Sequence, residues 1–152
     1  VNLAWTGIGQ HKDLVNPCSM MVYLGAIANG GKAAAPRLID SVKFSNGLPA
    51  GWFISRKTNV LVEAETASRL EDMMHNNVVE TYGENNFPGL DLYAKSGTAE
   101  VGGNKAPNAW FTGIIRNEGY PYAFIVLVEN GGSGSGTAGS VANKVLQEIV
   151  ND

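Results

Sequence analysis

Three stretches of the chain carry apolar residues at the spacing of an amphipathic helix. The first runs over residues 17–28, after an Asn16 suited to capping a helix and with a proline at the first helical position. Asn29-Gly30-Gly31 then supplies residues that tolerate the left-handed conformation of a helix end. This pattern predicts a helix that packs against a core through Met20, Leu24, Ile27 and Ala28.

The other two helical stretches lie later in the chain. Residues 64–79 are predicted to form an amphipathic helix that is ended by Gly83 and the turn residues after it. Its apolar face comprises Ala67, Leu70, Met74 and Val78, and its charged face comprises Arg69, Glu71 and Asp72. The last helix is predicted over about 138–150, through Val141, Val145, Leu146 and Ile149.

Between these helices the sequence predicts three strands, over about residues 90–101, 109–116 and 122–129. A tight turn at Asn117-Glu118-Gly119 joins the last two, so the strands form an antiparallel meander. Both alternating sets of side chains in the last strand are apolar, which predicts that helices cover both faces of the sheet. The last helix can cover one face, and the two earlier helices are candidates for the other. The fold class is therefore α+β.

Two other segments carry turn residues. Residues 37–44 and 52–54 flank Asn46-Gly47, which predicts a loose β excursion rather than a two-residue hairpin. Gly134-x-Gly136-x-x-Gly139 lies between a strand and a helix, as in a dinucleotide-binding loop. Such a site also needs a second parallel strand with an acidic end, and the sequence reaches Asp152 before one could form. We interpret 130–139 as a flexible loop rather than an artificial linker, and a nucleotide-binding fragment, testable with NAD, is the alternative.

Composition and charge limit the classes of function that the chain could have. The 152 residues, with 44% hydrophobic and 16% charged residues, suit one globular domain. A net charge of -3 without a Lys/Arg run indicates no nucleic-acid partner. Cys18 is expected to be a small buried residue near a helix start. His11 and His75 lie far apart with no Cys or second His at metal-binding spacing, so no metal site is predicted.

Lys95-Ser96-Gly97-Thr98 on the first predicted strand could bind an acyl substrate. On an edge strand Ser96 and Thr98 project to one side, where two hydroxyls can bind a carboxylate beside the Lys95 charge. Gly97 would let an acyl chain lie close to the backbone, and the N–H after it could face a developing oxyanion. A substrate could then add as a further strand. The alternative is that Lys95 is a solvated lysine that protects an edge from aggregation.

Several segments resemble, in order, the transpeptidase domain of penicillin-binding proteins. They are Gly7-Ile8-Gly9-Gln10, Asn16-Pro17 with Met20-Met21, Ala26-Ile27-Ala28-Asn29-Gly30-Gly31, Glu65-Thr66-Ala67, Lys95-Ser96-Gly97-Thr98-Ala99-Glu100 and Ala109-Trp110-Phe111-Thr112-Gly113. Cys18-Ser19 and Thr81-Tyr82-Gly83 depart from the usual pattern and leave the subfamily open. The family's other motifs, Ser-x-x-Lys and Ser-x-Asn, do not occur in these 152 residues. We therefore expect residues 1–152 to be the C-terminal portion of a single transpeptidase domain, with the corresponding part of the β-lactamase/transpeptidase-like fold.

The resemblance implies a D,D-transpeptidase that crosslinks peptidoglycan stem peptides through a serine acyl-enzyme and binds β-lactams. Lys95 would be the catalytic residue that positions substrate and helps proton movement. Ser96, Gly97 and Thr98 would bind substrate, with the carboxylate on the two hydroxyls and the Thr98 N–H as half of the oxyanion hole. This chain alone, without the serine nucleophile, is expected to be inactive. A non-catalytic β-lactam sensor or binding module of the same fold is the alternative.

The resemblance also implies which cofactors, partners and cellular location to expect. Neither a metal nor an organic cofactor is expected. The strand over 122–129 is expected to pair with the N-terminal part of the same domain or with a second copy, because its apolar edge lacks a protective lysine or proline. The expected location is the extracytoplasmic face of the bacterial cell membrane, with any anchor upstream of this chain.

Overall fold

A computed structural model describes residues 2–7, 9–10, 14–39, 41–51 and 54–152 of the chain. The described helices are α1 (Asn2–Gly7), α2 (Pro17–Ala28), α3 (Ala64–Asn76) and α4 (Gly139–Asn151). The strands are β1 (Val42–Lys43), β2 (Pro49–Gly51), β3 (Leu92–Ala99), β4 (Asn108–Ile115) and β5 (Ala123–Val128). None of the described helices is long and apolar enough to cross a bilayer.

The larger sheet is an antiparallel meander in the order β3-β4-β5. Ser96 lies opposite Phe111 of β4, and Phe111 lies opposite Val126 of β5. The connection between β4 and β5 includes a turn in which the Tyr120 N–H donates to the Asn117 carbonyl at 2.9 Å. The three predicted strands and their order are confirmed.

Helices cover both faces of this sheet, as its apolar strands predict. On one face Phe111, Leu92 and Ile115 are buried with Ala142 and Leu146 of α4. On the other face Leu24 of α2 and Met74 of α3 pack on Ile114 of β4. The predicted α+β class is confirmed, and the two hydrophobic clusters hold the sheet from above and below.

The ends of α2 and α3 follow from local sequence. The Asn16 side chain accepts a hydrogen bond from the Cys18 N–H at 2.9 Å, which confirms the predicted cap. The helix predicted over 64–79 with its end at Gly83 is helical throughout, but its last part is not α-helical. Its α-helical part stops at Asn76, and a π-helical segment, Asn77–Gly83, continues to Gly83 with φ +80°. This wider turn carries Val78 into the core and Tyr82 toward β3.

Other predictions are corrected by the structure or concern residues outside the described ranges. Cys18 is exposed, because it lies in the first turn of α2, whereas the buried residues of this helix, Leu24 and Ala26, lie in its second half. The segment around Asn46-Gly47 is a short hairpin in which β1 pairs with β2 in an irregular register. The Phe44 N–H donates to the Leu48 carbonyl, so the loop is longer than two residues, as predicted. Trp52, Phe53 and His11 lie outside the described residues. His75 lies on α3, with its ring 4.9 Å from that of Tyr93.

The glycine-rich segment is ordered structure rather than a flexible loop. Ser133 caps a π-helical turn, Gly134–Ala138, by accepting from the Gly136 N–H, and α4 follows directly. A side-chain carbon at Gly134 would overlap the carbonyl oxygen of Gly97, so only glycine fits this close approach. The segment therefore packs on β3, beside the Lys95-Ser96-Gly97-Thr98 stretch.

Arg116, just after β4, ties three elements together. Its Nε lies 2.8 Å from the Glu71 carboxylate of α3, and its Nη2 donates to the Ala28 carbonyl at the end of α2. A second guanidinium nitrogen-to-carboxylate contact joins it to Glu71. Glu71, expected on the solvated face of its helix, is instead the partner that fixes α3 against the sheet.

We expect Arg116→Ala to lower the free energy of unfolding by about 1–3 kcal/mol, because it removes charge-assisted hydrogen bonds to Glu71 and to the end of α2. Arg69→Ala is the matched control, since Arg69 pairs with Glu65 at the exposed surface of α3. That variant should cost less than about 0.5 kcal/mol. Urea unfolding of the intact protein measures both, and equal losses would show that the Arg116 contacts do not hold the helices.

Candidate functional site

The register of β3 and β4 decides which peptide groups of β3 face outward. In an antiparallel pair, residues with their N–H and C=O turned to the partner alternate with residues turned away. The Arg116 N–H donates to the Asp91 carbonyl, so the odd-numbered residues of β3 face β4. The even-numbered residues, including Ser96 and Thr98, therefore present their peptide groups at the outer edge, where β3 has no neighbouring strand among the described residues.

Tyr82 holds Ser96 at this edge. The Ser96 N–H donates to the Tyr82 hydroxyl oxygen at 2.7 Å, and the Tyr82 O–H donates to Ser96 Oγ at 3.1 Å. Because Oγ is already an acceptor, the hydroxyl hydrogen of Ser96 is free to donate to a ligand. The π-helical turn brings Tyr82 here, and the ring packs edge-on against Phe111 at 5.4 Å.

Lys95 reaches the same edge although its side chain starts on the opposite face of β3. Its Nζ donates to the carbonyl oxygen of Ser96 at 2.6 Å, and the side chain is exposed. The ammonium group thus lies beside the Ser96 peptide. A positive charge and a free hydroxyl hydrogen together favour an anionic group such as a carboxylate.

Thr98 provides the next outward-facing peptide group. Its Oγ1 accepts from the Gly134 N–H at 3.3 Å, and its carbonyl accepts from the Gln10 side chain at 2.9 Å. No described residue accepts from the Thr98 N–H. This unpaired donor, next to the Ser96 hydroxyl and the Lys95 ammonium, could stabilise negative charge on a reacting carbonyl oxygen.

Gly97 lies between these groups and has a structural reason to be glycine. A side-chain carbon there would come within 3.3 Å of Trp110 Cβ on β4. The neighbouring Gly134 backbone packs on the other side, against the Gly97 carbonyl. A side chain at position 97 would therefore require Trp110 to move by a few tenths of an ångström, even without a ligand.

Of the four residues singled out in the sequence, Lys95, Ser96 and Thr98 bring polar groups to the outer edge of β3, whereas the peptide groups of Gly97 face β4. Two further residues at this edge were missed. Tyr82 and Gln10 bond this edge from segments 14 and 88 positions away from their partners Ser96 and Thr98. The sequence signal for Tyr82 is that Thr81-Tyr82-Gly83 departs from the usual pattern of the transpeptidase domains that the chain resembles. On the opposite face of β3, burial and the nearby Asp91 carboxylate raise the pKa of the Tyr93 hydroxyl. The described residues contain no cluster of His, Cys, Asp or Glu that could hold a metal.

A Lys-Ser-Gly-Thr stretch on a strand is typical of serine acyl-transfer enzymes that recognise penicillin. The sequence model of the penicillin binding protein transpeptidase domain matches residues 1–151, and the chain belongs to this family.

Individual relatives agree with this assignment. The peptidoglycan D,D-transpeptidase PbpA of Mycobacterium tuberculosis is 27% identical over an alignment of 152 positions, and the alignment covers 97% of this chain and 31% of PbpA. The structure of penicillin-binding protein A from M. tuberculosis as an imipenem acyl-enzyme complex matches with a TM-score of 0.85 at 26% identity, over 97% of this chain and 34% of that one. A D,D-transpeptidase domain of a peptidoglycan glycosyltransferase from Eggerthella lenta matches with a TM-score of 0.77 at 31% identity, over 90% of this chain and 32% of that one. The chain therefore spans about a third of the length of the relatives it matches.

We expect Tyr82→Phe to speed hydrogen exchange at the Ser96 amide, because the substitution removes the hydroxyl that accepts from it. The free energy of unfolding should fall by about 1 kcal/mol, the usual effect of one lost hydrogen bond. Tyr23→Phe is the control, since the Tyr23 hydroxyl has no hydrogen-bond partner among the described residues and the side chain is half exposed. If the Ser96 amide exchanges at the same rate in both variants, Tyr82 does not hold this edge.

Proposed function

We propose that this chain is the C-terminal portion of the transpeptidase domain of a peptidoglycan D,D-transpeptidase, and that it supplies the substrate-binding strand. The intact enzyme crosslinks cell-wall stem peptides through a serine acyl-enzyme on the extracytoplasmic face of the bacterial membrane. The observation that carries the proposal is the Thr98 N–H on the outer edge of β3, which has no acceptor among the described residues and lies beside the Lys95 ammonium and the Ser96 hydroxyl.

Each of these groups has a role in acyl transfer. The carboxylate of the stem peptide binds the Ser96 and Thr98 hydroxyls, and Lys95 balances its charge. When the serine nucleophile attacks, its oxygen bonds to the substrate carbonyl carbon and negative charge develops on the carbonyl oxygen. The Thr98 N–H donates to that oxygen as one half of an oxyanion hole. Lys95 positions the substrate and assists the movement of the nucleophile's proton.

The same arrangement accounts for β-lactam binding, because a β-lactam also presents a carboxylate and a reactive carbonyl. Support comes from the matched M. tuberculosis structure, which is an imipenem acyl-enzyme complex. The nucleophile belongs to a Ser-x-x-Lys motif that these 152 residues do not contain. The isolated polypeptide is therefore inactive in this proposal.

Labelling with a fluorescent penicillin tests the proposal. We expect the intact protein to be labelled on a segment other than residues 1–152, and the isolated 152-residue polypeptide to remain unlabelled. Lys95→Ala in the intact protein should slow acylation at least tenfold with a change in unfolding free energy below about 0.5 kcal/mol, because Lys95 is exposed. Lys144→Ala on the exposed side of α4 is the control.

Three results would contradict it. A labelled band at the mass of the isolated chain, 16.1 kDa, would place a nucleophile within these residues. Unchanged acylation with a large loss of stability would make Lys95 structural. Stable labelling without any turnover of a peptide donor would instead favour a β-lactam sensor.

We also propose that β5 pairs with a further strand, either from the N-terminal part of the same domain or from a second copy. β5 bonds β4 on one side, and the peptide groups of Ala123, Ile125 and Leu127 face away from β4. No described strand pairs with that side. The strand is apolar and contains neither lysine nor proline, so a bare edge would favour association.

Light scattering after size-exclusion chromatography of the 152-residue polypeptide tests this pairing. We expect an oligomer or a co-purified fragment, and we expect Leu127→Lys to shift the polypeptide toward monomer, because a charge on an edge strand opposes pairing. Leu127 is suitable since it is 37% exposed. A monodisperse wild-type monomer whose amides at 124–127 exchange freely would refute the pairing.

A further inference from the structure

The side chain of Gln10 occupies two peptide groups on the outer edge of β3. Its Nε2 donates to the Thr98 carbonyl at 2.9 Å, and its Oε1 accepts from the Glu100 N–H at 3.3 Å. In a parallel ladder, one residue bonds the carbonyl of residue i−1 and the N–H of residue i+1 on its neighbour. Gln10 thus bonds β3 as a single residue of an added strand would.

The end of α1 fixes Gln10 in this position. The Gln10 N–H donates to the Trp5 carbonyl, and the Gly9 N–H donates to the Thr6 carbonyl, both at 3.0 Å. Gly9 has φ +74°. This pair of bonds with a left-handed glycine is the Schellman ending of a helix, so the backbone that carries the Gln10 side chain is itself held.

Few peptide groups on the outer edge of β3 therefore remain available to bind a ligand. On one side of Thr98, Tyr82 bonds the Ser96 N–H and Lys95 bonds the Ser96 carbonyl. On the other side, Gln10 bonds the Glu100 N–H. Of the outward-facing groups from the Ser96 N–H to the Glu100 N–H, the Thr98 N–H is the one without a partner among the described residues.

We propose that Gln10 is a positioning residue that ends the substrate-binding edge at Thr98. An acyl donor pairs with the Thr98 peptide, whose carbonyl has a second lone pair to accept the donor's amide N–H. The donor's backbone cannot continue along β3 to Glu100, because the Gln10 amide already fills that position. Gln10 thereby limits how far an extended peptide runs along the strand. This inference rests on the proposed transpeptidase function.

Acylation of the intact protein by two donors tests the inference. One donor is a short N-acetyl-D-alanyl thioester, and the other carries three further peptide residues on its amino side. We expect Gln10→Ala to raise the ratio of kcat/KM for the long donor to that for the short donor about fivefold, because at least one more backbone hydrogen bond becomes available. Gln10→Met should raise it similarly, since methionine has a similar length but cannot donate.

Gln147→Ala is the matched control. The Gln147 side chain likewise donates to a backbone carbonyl, that of Pro88 at 2.6 Å, but it lies on α4. This variant should leave the ratio of the two donors as in the wild type. A ratio that stays constant in Gln10→Ala while both rates fall together would overturn the inference and make Gln10 a structural residue.

Hydrogen exchange gives a second measurement that does not depend on activity. The Glu100 amide should exchange several-fold faster in Gln10→Ala than in the wild type or in Gln147→Ala, and equal rates would also overturn the inference. Failure of the proposed function has a different signature. The wild-type protein would then react with neither donor nor with penicillin, whereas the exchange result would still decide whether Gln10 covers Glu100.

Discussion

The pairing register of β3 with β4 is the constraint on which the candidate site depends. It turns the peptide groups of Ser96 and Thr98 to the outer edge, while those of Lys95 and Gly97 bond β4. A shift of one residue would exchange the two sets and bury the Ser96 and Thr98 side chains in the wrong layer. Leu92 and Ala94 of β3 make such a shift costly, because both are buried in the core and would turn to the other face of the sheet. The register of β3 with β4 therefore determines both which side chains are buried in the core and which peptide groups face the outer edge.

Other parts of the fold hold β3 in place and bring side chains into contact with its outer edge. Helices on both faces immobilise the strands, and the Arg116 contacts to α2 and α3 fix the helix layer. The π-helical extension of α3 turns Tyr82 onto Ser96, and the end of α1 turns Gln10 onto Thr98. Most outward-facing groups around the site thus bond protein, and the Thr98 N–H, which has no partner in the part of the chain that the structure describes, is the proposed position for a substrate oxygen. Preorganised donors of this kind need little rearrangement when charge develops.

Sequence patterns could predict the regular elements and the strand that carries the site. Periodicity and turn residues were sufficient for α2, for the three-stranded meander and for its two covered faces. They could not predict that the helix after Ala64 would widen at Asn77, because a π turn arises from packing rather than from local preference. They also could not place Gln10 against Thr98, since a contact between residues 88 positions apart has no local signal. Residue type alone places Cys18 in the core, but it lies in the exposed first turn of α2, before the part of the helix that is buried.

A crystal structure of the intact protein after reaction with a β-lactam is the most direct test of the central claim that the outer edge of β3 is the substrate site. We expect the ligand to lie along residues 96–98, with its carbonyl oxygen accepting from the Thr98 N–H and its carboxylate beside the Ser96 and Thr98 hydroxyls. Gln10 should still bond the Glu100 N–H in that complex. A covalently bound ligand whose carbonyl and carboxylate contact neither Ser96 nor Thr98 would contradict the account.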